Sequence, residues 1–125
     1  MLTTTFSVAL GGAIGAILRY LVGIATLRLA GPGFPWGTLT VNVAGSAAMG
    51  ALVVILAQTS GTRFAPFLMT GLLGGFTTFS AFSLDTIALI ERGATGQAAL
   101  YVAASLALSV AALFAAMTAT RMVWP

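Results

Sequence analysis

Four long stretches of this 125-residue chain contain no aspartate, glutamate, lysine or arginine. They cover residues 1–18, 29–62, 64–84 and 93–120. A helix needs about 17 to 25 apolar residues to cross the hydrocarbon core of a bilayer, and each stretch is long enough. Inside lipid, only helices and closed barrels satisfy every backbone polar group. The pattern therefore predicts an all-α integral membrane protein with four transmembrane helices.

Glycine, proline and arginine mark the boundaries of the four predicted spans, which form a single transmembrane domain over residues 1–125. The spans cover residues 4–27, 36–57, 64–90 and 96–120. The turns between them are short, so we expect no soluble domain. The N-terminus lacks the basic region of a secretory signal, and we expect the first span to be retained.

Composition excludes several classes of function. The chain has no cysteine and no histidine, so zinc and iron sites built on sulfur and nitrogen ligands are absent. Asp85 and Glu91 are the only acidic residues, too few for a divalent-metal cage or a pair of catalytic carboxylates. We therefore expect no enzymatic activity. The five arginines stand singly, at positions 19, 28, 63, 92 and 121, and form no basic patch for nucleic acid.

The arginines in the predicted loops give little guidance on orientation. With four spans, Arg28 and Arg92 fall on one side of the membrane, and Arg63 and Arg121 fall on the other. Loop lysine and arginine orient a membrane protein, and here they balance, with no lysine to decide between the sides. The balance predicts dual topology, in which copies insert in both orientations. The alternative is that a weak bias in span hydrophobicity fixes one orientation.

Four helices are too few to bury their own polar side chains and also enclose an aqueous path, so we expect an oligomer. Small residues at two places allow helices to approach closely. One place is residues 11–16, with glycines at 11 and 15, and the other is residues 45–50. These faces could pack between subunits or within one subunit, and the sequence leaves both alternatives open.

Polar side chains form one stripe on the second predicted span and one on the fourth. In both stripes the residues recur every four positions, which places them on one helix face. The stripes consist of Thr38, Asn42 and Ser46 and of Tyr101, Ser105 and Ser109. Amide, hydroxyl and phenol groups all donate hydrogen bonds, and such neutral donors suit a small anion that must bind and then leave. The alternative for any single Ser or Thr is a bond to its own helix backbone.

The third span adds two aromatic rings and a break. Phe79 and Phe82 lie three residues apart on one helix face, beside Ser80 and Ser83. Ring edges carry partial positive charge and can solvate an anion, although phenylalanines at this spacing are more commonly packing residues. Residues 74–78 are Gly-Gly-Phe-Thr-Thr, which indicates a break where freed carbonyls could hold a cation.

Three segments together indicate a family. Residues 11–20 (GGAIGAILRY), 35–46 (PWGTLTVNVAGS) and 71–83 (GLLGGFTTFSAFS) resemble the signature segments of the Fluc (CrcB) fluoride channels, and the resemblance extends over the whole chain. It implies a dual-topology antiparallel homodimer in the inner cell membrane, surrounded by lipid. It also implies two pores that pass fluoride passively and reject chloride. By exporting cytoplasmic fluoride, such a protein confers fluoride resistance.

The resemblance assigns a fluoride pathway to individual residues. Phe79 and Phe82 match the family's phenylalanine box, and Asn42 matches its pore-lining asparagine. The remaining members of the implied pathway are polar and are Thr38, Ser80, Tyr101, Ser105 and Ser109.

The resemblance also implies a structural sodium ion at the dimer interface. Backbone carbonyls of Gly74 and Thr77 from both subunits would hold it, and Arg19 matches an arginine of structural or vestibular role. Asp85 stands where we expect glutamate in the family, so it is either a shortened vestibule carboxylate or an interfacial partner of an arginine. Ala47 stands where the family often has a bulky aromatic, and we expect local repacking there.

Two other functions remain as alternatives. A small dual-topology multidrug exporter has the same size and couples drug to protons through an intramembrane carboxylate. This chain has no acid in its first span, and Asp85 lies late in the third. A non-transporting assembly subunit would leave the two polar stripes without purpose.

Overall fold

The computed structural model of the protein describes residues 1–124, which are helical apart from short turns and one break. Four helical segments are long and apolar enough to cross a membrane. They are helix α1 (Leu2–Ala30), helix α2 (Trp36–Gln58), a third segment (Thr62–Glu91) and the last helix, α5 (Thr95–Val123). The expected all-helical architecture with four spans is therefore confirmed by length and composition.

Glycines with positive φ end two of the helices. Gly31 has a φ of 79°, and its N–H donates to the Leu27 carbonyl at 3.0 Å, which closes α1. Gly93 has a φ of 84° and lies in the turn before α5. Only glycine adopts this backbone region without strain, so each residue allows the chain to reverse within a few positions.

The third segment is divided into pieces, and the break that the sequence predicts is present. It begins with a 3₁₀ turn (Thr62–Phe64) and a π-helical stretch (Pro66–Leu73), followed by one α-helical turn, α3 (Gly74–Phe76). Thr77 and Thr78 are then extended, with ψ angles of 158° and 120°. Helix α4 (Phe79–Glu91) completes the segment. The π-helical stretch is a feature that the sequence pattern does not reveal.

The glycine face of α1 packs against the third segment of the same subunit. A Cβ atom built on Gly11 would lie 2.5 Å from the Phe67 carbonyl oxygen and 2.8 Å from the Leu72 nitrogen. A Cβ on Gly15 would collide with the Leu72 carbonyl. Because real Cβ atoms essentially never come within 3.0 Å of another heavy atom, both positions require glycine. These two glycines therefore pack within the subunit.

The small face of α2 is also used inside the subunit. A Cβ on Gly45 would collide with the Thr77 methyl group, and one on Gly50 would collide with the Leu113 carbonyl of α5. Close approach at Gly45 places the middle of α2 directly against the break, and close approach at Gly50 places α5 beside it. The three elements that meet here carry most of the polar residues predicted from the sequence.

The buried core is small and lies where α2, α4 and α5 meet. Its main cluster consists of Leu39, Phe82, Leu89, Ala98 and Tyr101. Most large apolar side chains instead lie on the outside, and many of those on α1 and α5 are more than half exposed. A surface of this kind is stable in lipid and not in water.

Candidate functional site

Asn42, in the middle of α2, holds the break in the third segment. Its Oδ1 accepts a hydrogen bond from the Thr78 N–H at 2.8 Å, and its Nδ2 donates to the Thr78 carbonyl at 3.0 Å. The side-chain amide thus pairs with both backbone groups of one residue, as a neighbouring strand would. One Nδ2 hydrogen remains for a further partner.

The same bonds remove the helical donors from two carbonyls of the break. In an uninterrupted α-helix the Thr78 N–H would donate to Gly74, and the Ala81 N–H would donate to Thr77. Instead the Thr78 N–H donates to Asn42, and the Ala81 N–H donates to Thr78 Oγ1 at 3.1 Å. Carbonyls of unwound membrane helices are typical ligands of sodium ions. The chemistry of Gly74 and Thr77 therefore fits the ion that the resemblance implies.

Arg19 is the hydrogen-bond partner of a further carbonyl of the break, that of Gly75. Its Nε donates to the Gly75 carbonyl at 3.1 Å, across 56 residues of chain. This contact fixes α1 against α3 and satisfies an acceptor that helix geometry leaves open. The structural or vestibular role expected for Arg19 stays a prediction.

The two phenylalanines of α4 occupy different environments. Their ring centroids are 5.4 Å apart with an interplanar angle of 56°. Phe82 is only 9% exposed and packs against the Tyr101 ring at 5.2 Å, whereas Phe79 is 74% exposed and points away from the subunit. A single subunit therefore encloses one ring and presents the other on its surface.

A groove of about 380 Å³ brings together several of the predicted pathway residues. Asn42, Phe79, Phe82, Ser105 and Ser109 all line it. The hydroxyl oxygens of both serines are buried and make no hydrogen bond within residues 1–124. Buried hydroxyls are nearly always paired, so these two hydroxyls are distinctive as donors available in the groove.

Other hydroxyls in the spans follow the alternative interpretation. Ser83 donates to the Phe79 carbonyl at 3.1 Å, and Thr26 donates to the Val22 carbonyl at 2.9 Å. These are bonds to the residue four positions earlier in the same helix. Ser105 and Ser109 make no such bond, which separates them from ordinary packing serines.

The remaining predicted pathway residues do not line this groove. Tyr101 is fully buried, and its hydroxyl donates to Asp85 Oδ2 at 3.0 Å. Thr38 and Asp85 line a second cavity of about 400 Å³, together with Arg19. Ser80 is exposed, with its Oγ 3.4 Å from Thr78 Oγ1.

Thr78 is a residue to which sequence reasoning gave no site role. It lines both the groove and the second cavity, and its backbone is the partner of Asn42. Its hydroxyl also caps α4 by accepting from the Ala81 N–H. The Gly-Gly-Phe-Thr-Thr sequence marks the break. A threonine directly before the first residue of a helix, as Thr78 is before Phe79, is a typical N-cap. That signal was sufficient to single it out.

A family model described as "CrcB-like protein, Camphor Resistance (CrcB)" matches residues 6–117. The chain belongs to the CrcB family. The resemblance seen in the sequence is thus confirmed, and the match includes the break, Asn42 and both phenylalanines of α4. A CrcB membership together with four apolar helices makes this a multi-pass membrane protein.

Curated CrcB relatives align over almost the whole chain. The "Fluoride-specific ion channel FluC" of Ruegeria sp. (strain TM1040) is 61% identical over 122 residues, 97% of each chain. The protein of the same name from Cereibacter sphaeroides (strain ATCC 17029 / ATH 2.4.9) is 60% identical over 121 residues, again 97% of each. That of Agrobacterium fabrum (strain C58 / ATCC 33970) is 55% identical, covering 91% of this chain and 93% of its own.

Proposed function

We propose that this protein is a fluoride-selective passive ion channel, which exports cytoplasmic fluoride across the inner cell membrane and thereby confers fluoride resistance. Relatives of nearly equal length that are named fluoride-specific ion channels support a transporter rather than an enzyme. The observation that carries the proposal is the groove with two unpaired serine hydroxyls beside Asn42 and Phe82. The multidrug exporter is not favoured, since these relatives are channels.

Selectivity follows from the chemistry of the lining. Fluoride is compact and strongly hydrated, so removing its water is more costly than for chloride, and only closely spaced donors can offset that loss. The hydroxyls of Ser105 and Ser109, the free N–H of Asn42 and the partly positive edge of Phe82 are such donors. None carries a fixed charge, so the ion can leave as readily as it enters.

The conducting unit is an antiparallel homodimer with two pores. Phe79 is exposed on the single subunit although it lines the groove, so a second copy would complete the wall around it. The balanced loop arginines supply copies in both orientations. Adding two lysines beside Gly61 should fix one orientation and abolish activity, and full activity of that variant would contradict antiparallel pairing.

A sodium ion at the dimer interface would be held by the Gly74 and Thr77 carbonyls of both copies. Two carbonyls from one chain are too few for a cage, and a second copy related by two-fold symmetry doubles the number. Asn42 supports this site by drawing the Thr78 N–H away from Gly74. When bound, the ion would stabilise the break electrostatically.

Efflux from liposomes tests the proposal directly. Purified protein is reconstituted, vesicles are loaded in turn with fluoride and with chloride, and valinomycin carries compensating potassium. Fast fluoride release without chloride release is the expected result, recorded with ion-selective electrodes. If a folded dimer releases neither ion, the channel function is wrong, and release of both would refute selectivity.

A further inference from the structure

The loop between α1 and α2 folds back onto the end of the proposed pathway. Two prolines, Pro32 and Pro35, restrict it, and the Trp36 N–H donates to the Phe34 carbonyl at 2.8 Å. This tight turn directs the Phe34 ring inward. Its centroid lies 4.7 Å from that of Trp36 and 5.5 Å from that of Tyr101, where the two rings meet edge to face at 87°.

Arg92 attaches this loop to the third segment. It lies immediately after α4, and its Nη2 donates to the Gly33 carbonyl, 59 residues earlier in the chain. Arg92, Asp85 and the loop together line a cavity of about 280 Å³ at this end of the bundle. A charge-assisted bond of this kind joins the loop to the end of α4 and restricts its movement.

Tyr101 is confined from two sides by aromatic rings. Phe82 packs against it at 5.2 Å and Phe34 at 5.5 Å, and the ring has no exposed surface. Its hydroxyl reaches Asp85 Oδ2 at 3.0 Å, and the two rings restrict the directions that the phenol can take. Loss of the Phe34 contact would leave space for the Tyr101 ring to tilt.

We propose that Arg92 and Phe34 are positioning residues for Tyr101, acting through the loop that joins them. Arg92 binds the Gly33 carbonyl, and this hydrogen bond fixes the neighbouring Phe34. The Phe34 ring in turn packs against Tyr101 and keeps its hydroxyl directed toward Asp85. The inference rests on the proposed function insofar as Tyr101 belongs to the fluoride pathway. It extends that pathway to residues that touch no ion.

A matched pair of arginine variants distinguishes the loss of positioning from the loss of a positive charge. Arg28 lies at the same end of the bundle, is exposed, and makes no side-chain hydrogen bond within the part of the chain that the structure describes. Arg28→Gln and Arg92→Gln each remove one positive charge, but only the second releases the Gly33 carbonyl. Phe34→Leu removes the ring contact without changing charge.

The readout is Tyr101 itself. The chain has two tyrosines, so in a Tyr20→Phe background ¹³C-labelled tyrosine gives one phenol resonance. We expect Arg92→Gln and Phe34→Leu to shift or broaden this resonance and to lower fluoride efflux about fivefold, the change that loss of one hydrogen bond produces. Arg92→Lys keeps a donor and a charge and should restore both. Arg28→Gln should alter neither.

Two outcomes overturn the inference. One is an unmoved Tyr101 resonance in both Arg92→Gln and Phe34→Leu, with dimer assembly checked by gel filtration. The other is an equal loss of efflux in Arg28→Gln and Arg92→Gln, which would make the arginine effect one of charge. If the parent protein releases no fluoride, the proposed function fails, yet the resonance still tests whether the loop positions Tyr101.

Discussion

Replacing Asn42 by leucine, which has nearly the same shape, removes the amide and little else. The Thr78 N–H and carbonyl would both lose their partner, at distances of 2.8 and 3.0 Å in the parent protein. No neighbouring helix residue can replace them, because the backbone at Thr78 is extended, with φ and ψ of −154° and 120°. The break should therefore lose its lateral support.

The size of the effect follows from the number of bonds. A typical intramolecular hydrogen bond contributes about 0.5–1.5 kcal/mol. Side-chain bonds between membrane helices average about 0.6 kcal/mol, since the unfolded chain in lipid also finds partners. Two bonds then correspond to a decrease of about 1–3 kcal/mol in the free energy of unfolding. Asn42→Asp keeps an acceptor for the N–H, but it loses the donor and places a charge within the bilayer. It should therefore be no more stable than Asn42→Leu and should conduct no fluoride.

Unfolding in detergent mixtures of increasing sodium dodecyl sulfate content, followed by circular dichroism, measures this difference. Ser46→Ala is the matched control, since Ser46 lies one turn further along α2 and makes no side-chain hydrogen bond among residues 1–124. We expect that control to remain within about 0.5 kcal/mol of the parent. A leucine variant as stable as the parent would refute the view that Asn42 supports the break.

Three further predictions concern the groove and the packing. The double change Ser105→Ala and Ser109→Ala removes two unpaired buried hydroxyls. The free energy of unfolding should stay the same or rise, while fluoride efflux falls by roughly tenfold. Unaltered efflux would exclude both serines from the fluoride path. Gly15→Ala should destabilise by about 2 kcal/mol through collision with a backbone carbonyl, whereas Gly23→Ala, with open space around its Cβ, should stabilise slightly in the same unfolding assay. Phe82→Ile should lower efflux while gel filtration still shows a dimer, and a normal rate would remove this ring from the pathway.

The spans and the break were predictable because each depends on local sequence. Charge-free stretches identify membrane helices whatever their neighbours are. Two glycines and two threonines within residues 74–78 oppose continuation of a helix. The π-helical stretch at residues 66–73 was not predictable, since it differs from an α-helix by one hydrogen-bond register and leaves the same apolar composition. This stretch packs against Gly11 of α1, a tertiary contact that local composition does not record.

Five of the eight predicted pathway residues line the groove, whereas Thr38, Ser80 and Tyr101 do not, and the arrangement of the five was not predictable. Asn42 was identified as a costly amide that needs partners, but its partner lies 36 residues away and is backbone, which no side-chain pattern records. Likewise the spacing of Phe79 and Phe82 places them near one another, yet only the fold exposes the first and buries the second. Contacts that join distant segments are set by tertiary packing and leave no local signal.

The contacts of the break have a consequence for biogenesis. Arg19 and Asn42 both precede Gly75 and Thr78 in the chain, so α1 and α2 are synthesised before the residues that they hold. When the third segment leaves the translocon, Arg19 and Asn42 are already in the membrane. They can bind the Gly75 and Thr78 carbonyls and the Thr78 N–H, which lipid could not satisfy. The order of synthesis therefore shields the most polar stretch of backbone from bare hydrocarbon, and a circular permutant that makes the third segment first should insert poorly.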